Sequence, residues 1–147
     1  MDEYNYDALA STVQIEDISS NERNQEILRR LKENDPSLGT MWIRNEVYDR
    51  DSGVYCPGDD VDELGWLGYY LGRNKSLQEL FFQRDDLHNT SFYRGLNFNT
   101  SIQTIALENA GLLNGQVFGM LDQFFTNNRN LTEIRVMGCD LTMEGVR

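Results

Sequence analysis

The chain has 147 residues and a mass of 17.0 kDa, with 39% hydrophobic and 11% aromatic residues, enough apolar material for one domain with its own core. Its formal charge of -11 argues against binding to nucleic-acid backbones, which takes clustered Lys and Arg. No segment approaches the roughly 18–20 consecutive apolar residues that span a bilayer, which excludes a membrane partner reached through a spanning helix.

The N-terminal stretch "MDEYNYDALASTVQIEDISS" has no basic start and no apolar run of signal-peptide length, so a cytoplasmic location is expected. Two cysteines, Cys56 and Cys139, cannot build a disulfide framework and suit a reducing compartment. Four N-x-S/T sequons begin at Asn74, Asn89, Asn99 and Asn130 and are expected to stay unmodified. The acidity is concentrated: residues 1–26 hold seven acids against Arg23, and residues 49–63 hold six against Arg50.

In chain order, residues 1–20 read as an acidic, flexible tail. Ser19 and Glu22 are spaced for a capping box, opening a helix whose apolar face is Ile27, Leu28 and Leu31. Then comes "SLGTMWI" (Ser37 to Ile43), a phrase that returns as "SLQELFF" (Ser76 to Phe82), "SIQTIAL" (Ser101 to Leu107) and "NLTEIRV" (Asn130 to Val136). Aligned on Leu38, Leu77, Ile102 and Leu131, the apolar partners are Met41 and Ile43, Leu80 and Phe82, Ile105 and Leu107, Ile134 and Val136. The pattern continues with Glu46 and Tyr48, Asp85 and Leu87, Ala110 and Leu112, Cys139 and Leu141. Between the phrases the spacing turns helical: Leu64, Leu67 and Leu71; Phe92 and Leu96; Val117, Leu121, Phe124 and Phe125. Three residues before each anchor stands Asp35, Asn74, Asn99 or Asn128, residue types that tolerate a left-handed turn between helix and strand.

The phrase L-x-x-L-x-L-x-x-N/C-x-L resembles the leucine-rich repeat, in the ribonuclease-inhibitor-like class. Only Cys139 matches the family's Asn/Cys position; Glu46, Asp85 and Ala110 depart from it. The resemblance implies an α/β solenoid of about four repeats over residues 21–147, a short curved parallel sheet with helices on its convex side. The long first interval implies a solvent-facing acidic loop insertion at about 49–62. After Leu141 the sequence "TMEGVR" resembles the start of another convex helix, so a chain truncated at its C-terminus, or self-association through an open C-terminal edge, is expected.

Catalysis finds little support. His88 is the only histidine, no phosphate-binding loop or zinc spacing is present, and the acids around Asp49 miss the calcium-loop pattern because Gly53 falls at position 5 rather than 6. A non-enzyme without cofactor or metal is expected. Strand alternation instead points three columns of side chains out of the concave face: Thr40, Glu79, Thr104 and Glu133; Trp42, Phe81, Ala106 and Arg135; Arg44, Gln83, Glu108 and Met137. Trp42 and Phe81 are the expected anchors for a protein or peptide, with Arg44, Glu79, Gln83, Glu108, Glu133 and Arg135 around them; the competing arrangement folds Tyr4, Tyr6 and Leu9 back over the two rings. The family resemblance leaves open a GTPase-activating or ubiquitin-ligase substrate-receptor role. The words "NDPSL" are similar to the start of the repeat domain in tropomodulins, an actin-binding alternative.

Overall fold

The computed structural model describes residues 6–44, 53–57, 61–83, 90–108, 112–113, 122–137 and 140–141. Three helices lead in: α1 (Tyr6–Leu9), α2 (Ile15–Ile18) and α3 (Glu22–Lys32). The segment read as a tail therefore contributes to the packing, with Ile15 and Ile18 buried in the core. The α3 cap is Asn21, whose side chain accepts from the Asn24 amide at 3.0 Å. The expected Ser19–Glu22 box does not form, because Asn21 directly precedes the first helical residue and its short side chain reaches the third one. Ser19 Oγ instead accepts from the Asn21 amide at 3.2 Å. Arg29, Arg30 and Lys32 close the helix where its dipole favours cations.

The sheet is built from β1 (Thr40–Arg44), β2 (Val54–Tyr55), β3 (Glu79–Gln83), β4 (Thr104–Glu108) and β6 (Glu133–Met137), with all neighbours parallel and the order β2-β1-β3-β4-β6. Parallel neighbours need crossovers. Helices α4 (Val61–Arg73), α5 (Thr90–Leu96) and α6 (Asp122–Asn127) lie in them. Thr40 pairs with Glu79, Glu79 with Thr104 and Thr104 with Glu133, so the strands are offset by the same 39, 25 and 29 residues that separate the aligned anchors Leu38, Leu77, Ile102 and Leu131. One sheet face carries Met41, Ile43, Leu80, Phe82 and Ile105 into a core shared with Leu67, Leu71, Phe92, Leu96 and Phe124. Each such side chain contributes about 1.5–3 kcal/mol on burial. A second pair, β5 (Leu112–Leu113) and β7 (Asp140–Leu141), is also parallel. Its partners are Leu112 with Asp140 and Leu113 with Leu141, one residue off the sequence alignment of Leu112 with Leu141, since the connection from β6 to β7 is one residue shorter than that from β4 to β5.

The 25-residue interval is accommodated by glycine. Gly68 and Gly72 on α4 face Gly95 on α5: a Cβ on Gly68 would lie 2.7 Å from Phe92 Cα, and one on Gly95 would lie 2.6 Å from the Tyr69 nitrogen. The two helices touch backbone to backbone. Spacing alone showed neither this contact nor its need for residues without a Cβ.

Of the four residues three before the anchors, Asn74, Asn99 and Asn128 form a buried ladder rather than left-handed turns, while Asp35 stays partly exposed. The left-handed position in the first turn is Asn34 (φ 55), and Asp35, Asn74, Asn99 and Asn128 do not share its positive φ. Asn99, fully buried, donates from Nδ2 to the Leu71 carbonyl at 2.8 Å and the Asn74 carbonyl at 3.2 Å, and its Oδ1 accepts from the amides of Ser101 and Ile102 at 2.9 Å. Asn74 does the same one level earlier, donating to the Leu31 carbonyl at 3.0 Å and accepting from Ser76 and Leu77. Asn128 donates to the Ile102 carbonyl at 2.9 Å. The Leu31 and Leu71 carbonyls lie in the last turns of α3 and α4, where a helix leaves its carbonyls orphaned, and the Ile102 carbonyl lies just before β4. The geometry also accounts for two sequons, because Ser76 Oγ and Ser101 Oγ return hydrogen bonds to the carbonyls of Asp35 and Leu77.

The acidic insertion is more than a loop. Its Val54 and Tyr55 form β2 on the edge of the sheet, pairing with Trp42 and Ile43. Tyr55 is fully buried and donates to Glu63 Oε2 at 2.9 Å, while Asn24 Nδ2 donates to the Cys56 carbonyl at 2.9 Å and its Oδ1 accepts from the Cys56 amide at 3.2 Å. Burial, with the Glu63 carboxylate beside it, pushes the Tyr55 phenol far up. The remaining acids of the insertion at 49–51 and 59–60 lie outside the described residues, as do Glu46, Tyr48, Asp85, Leu87, His88, Ala110, Val117, Leu121 and Cys139.

Helix α1 docks on α4 by an exposed contact with a pH signature. Arg73 donates to Asp7 Oδ1 and stacks 4.4 Å from the Tyr69 ring, and Tyr69 Oη donates to the same carboxylate at 3.0 Å. The Arg73 hydrogen bond, with that of Tyr69, holds the Asp7 carboxyl below its ordinary range. A depressed carboxylate contributes stability that is present above its unfolded pKa and is lost as pH falls through the folded one. The melting-temperature gap between wild type and Asp7→Asn should therefore be constant near neutrality and close below about pH 4; a gap unchanged down to pH 2.5 would show that the pair does not form. Being exposed, it should also shrink with salt.

Candidate protein-binding face

The opposite face of the sheet carries the alternating residues of the same strands, and here the register decides which side chains meet. Trp42 pairs with Phe81, Phe81 with Ala106 and Ala106 with Arg135. Trp42 and Phe81 stack, with ring centroids 5.4 Å apart and planes 17° from parallel. The Arg44 guanidinium carbon lies 5.4 Å from the Trp42 ring centroid, within cation–π range. Trp42 is partly exposed; Phe81, 8% exposed, and Ala106 are buried yet stand outside the core cluster of the other face. A stacked aromatic pair is thus held on the side of the sheet away from the core.

Tyr6 does not cover it. Its ring packs 4.7 Å from Trp66 and 5.8 Å from Tyr69, on α4, and Tyr4 lies outside the described residues. Trp42 is held in place by its strand, since its amide donates to the Gly53 carbonyl at 2.8 Å. Gly53 has a φ of +74, and a Cβ there would lie 2.7 Å from the Thr40 carbonyl oxygen. The entry to β2 therefore needs glycine.

The first column is polar, and its two carboxylates have partners in the first and central columns. Thr40 Oγ1 donates to Glu79 Oε1 at 2.7 Å, and Arg135 binds Glu133 through Nε and, at 3.2 Å, through Nη2. The Arg135 contact holds the Glu133 carboxyl below its ordinary range. Thr104 is buried between Glu79 and Glu133 in the pairing. In the third column Arg44 pairs with Gln83 and Glu108 with Met137 along the backbone. Trp42, Arg44, Glu79, Phe81, Glu133 and Arg135 stand at alternating positions of paired strands, and the side chains of Gln83 and Glu108 lie outside the described ones.

No protein-family model matches this chain, and no curated protein sequence does. Among the described residues no group of three or more His, Cys, Asp or Glu is placed to hold a metal ion, and no helix is long and apolar enough to cross a membrane. Cys56 is half-buried, its backbone tied to Asn24. At the outer edge, β6 shows Ile134 50% exposed, although Ile105, its partner in the register, is fully buried.

Proposed function

We propose that the chain is a leucine-rich-repeat solenoid of the ribonuclease-inhibitor-like class, acting without catalysis as a cytoplasmic scaffold that holds a protein or peptide on its strand face. The observation that carries this reading is the stacked Trp42–Phe81 pair on the face away from the core. Aromatic rings held rigidly by a sheet offer contact area at little cost in side-chain entropy, and they are common anchors of interfaces. The repeat assignment is supported by the agreement between the strand register and the anchor spacing, and by the asparagine ladder that joins successive units.

The test is affinity capture with Trp42→Ser beside wild type, after circular dichroism and gel filtration show the variant folded. Trp42 is the right position because it is the more exposed of the two rings, so its loss should cost binding without collapsing the sheet. A prey held by wild type and lost by Trp42→Ser is the expected result, with affinity reduced at least tenfold, about 1.4 kcal/mol. Equal retention of every prey by both proteins would place binding elsewhere.

A further inference from the structure

The chemistry of the face narrows the partner, on the reading that this face is where binding occurs. Glu79 is half-buried on β3, two residues before Phe81 and on the same side of the strand. Its carboxylate accepts one hydrogen bond, from the neutral Thr40 hydroxyl at 2.7 Å, and its register neighbours Thr40 and Thr104 are both uncharged. Among the described residues no cation meets it. Glu133, in the same column, already has Arg135. A carboxylate offers about four lone-pair sites on two oxygens, so Oε2 of Glu79 remains able to accept from an incoming donor.

Residues i and i+2 of a strand lie about 6.5–7 Å apart. A single lysine or arginine side chain can therefore hydrogen-bond the Glu79 carboxylate through its head while its alkyl stem rests against the edge of the Phe81–Trp42 stack, the Trp42 ring already having the Arg44 guanidinium 5.4 Å from its centroid. The charge of the whole chain agrees, at -11. Such a field raises the rate of encounter with a basic partner and repels an acidic one.

We propose that the partner presents a basic segment, seating a lysine or arginine side chain against Glu79 and the Trp42–Phe81 stack. The probes are short Gly-Ser peptides with arginine, lysine or glutamate replacing serine, titrated by NMR against wild type, Glu79→Gln, Trp42→Ser and Glu16→Gln. Glutamine keeps an acceptor for Thr40 but removes the charge; Glu16 is an exposed acid on α2 that corrects for net charge.

The expected result is binding of the arginine or lysine peptide, weakened about tenfold by Glu79→Gln and by Trp42→Ser but unchanged by Glu16→Gln, with no binding of the glutamate peptide. Equal weakening by Glu79→Gln and Glu16→Gln would overturn the proposal in favour of diffuse charge attraction, and no binding of either basic peptide would overturn it outright. Binding lost with Trp42→Ser but kept with Glu79→Gln would overturn the cation pocket and leave the face as the binding site; basic-peptide binding untouched by either variant would remove both.

Discussion

Gly95→Ala should lower the unfolding free energy by about 2–3 kcal/mol or prevent folding, although alanine is the better helix former by about 1 kcal/mol. The cause is contact between backbones. A Cβ at Gly95 would lie 2.6 Å from the Tyr69 nitrogen and closer still to the Gly68 carbonyl, and these are main-chain atoms of a helix that cannot swing aside as a side chain can. Relief requires α4 and α5 to separate, which also loosens Phe92 and Leu96 from Leu67 and Leu71 beneath them. For a domain of this length the loss corresponds to a fall in melting temperature of roughly 4–12 °C. Gly39→Ala is the matched control, since a Cβ there meets nothing within 4 Å and Gly39 has no positive φ; it should be neutral or slightly stabilising. Thermal denaturation of the two variants decides the matter. Similar melting curves would mean that the helices do not touch at these glycines.

Asn99→Ala should cost about 3 kcal/mol or more, since it removes a fully buried side chain and leaves the carbonyls of Leu71 and Asn74 and the amides of Ser101 and Ile102 without the partners they now have. Asn99→Asp separates hydrogen bonding from shape. It keeps the volume and the acceptor for Ser101 and Ile102, but it replaces the Nδ2 donor with an oxygen aimed at two carbonyls, so it should be at least as damaging at pH 7. Protonating the new carboxyl restores a donor, and acidification should therefore recover part of the loss for Asn99→Asp and none for Asn99→Ala. Urea denaturation of both at pH 7 and pH 5 provides the readout. Asn130, an exposed residue whose Nδ2 donates to the Thr100 carbonyl, lies outside the ladder; Asn130→Ala should cost less than 1 kcal/mol.

The strands and their inward residues were legible because alternation at period two leaves one solution per phrase. Once Leu38, Leu77, Ile102 and Leu131 were aligned, Met41, Ile43, Leu80, Phe82 and Ile105 followed as one buried face. The helical stretches were legible from apolar spacing, and Leu67, Leu71, Phe92, Leu96 and Phe124 are all buried. The ladder asparagines were noticed but read through backbone propensity, which is a property of one residue. Their actual role depends on carbonyls 25 or more residues away in the sequence, as with Asn99 and the Asn74 and Leu71 carbonyls. A second signal was available, for Ser76 and Ser101 follow their asparagines at the same offset.

The candidate face divides in the same way. Alternation placed Trp42, Phe81, Glu79 and Arg135 on one side of their strands, but it said nothing of depth: Phe81 is nearly covered while Trp42 stays partly open. Depth follows from what flanks a residue across the sheet, and Phe81 lies between Trp42 and Ala106 whereas Trp42 is next to the short edge strand β2. The insertion was legible by its acids and length, but its Val54–Tyr55 pairing was not, because two residues are too few to show a period.

Sequence alone determined the strand phrases, the inward residues of β1 and β3, the helical stretches between the phrases and the overall negative charge, since each depends on short-range periodicity or on composition, whereas Ile134, inward by the same alternation, is half exposed at the sheet edge. Only the tertiary structure decided that α4 and α5 meet through Gly68, Gly72 and Gly95, that Asn74, Asn99 and Asn128 bind neighbouring turns, that Tyr55 and Glu63 are buried together, and that Tyr6 packs on α4 instead of the aromatic pair. Each of these joins groups separated in the chain, and their distance in space is set by how the helices and strands pack, which no local pattern encodes.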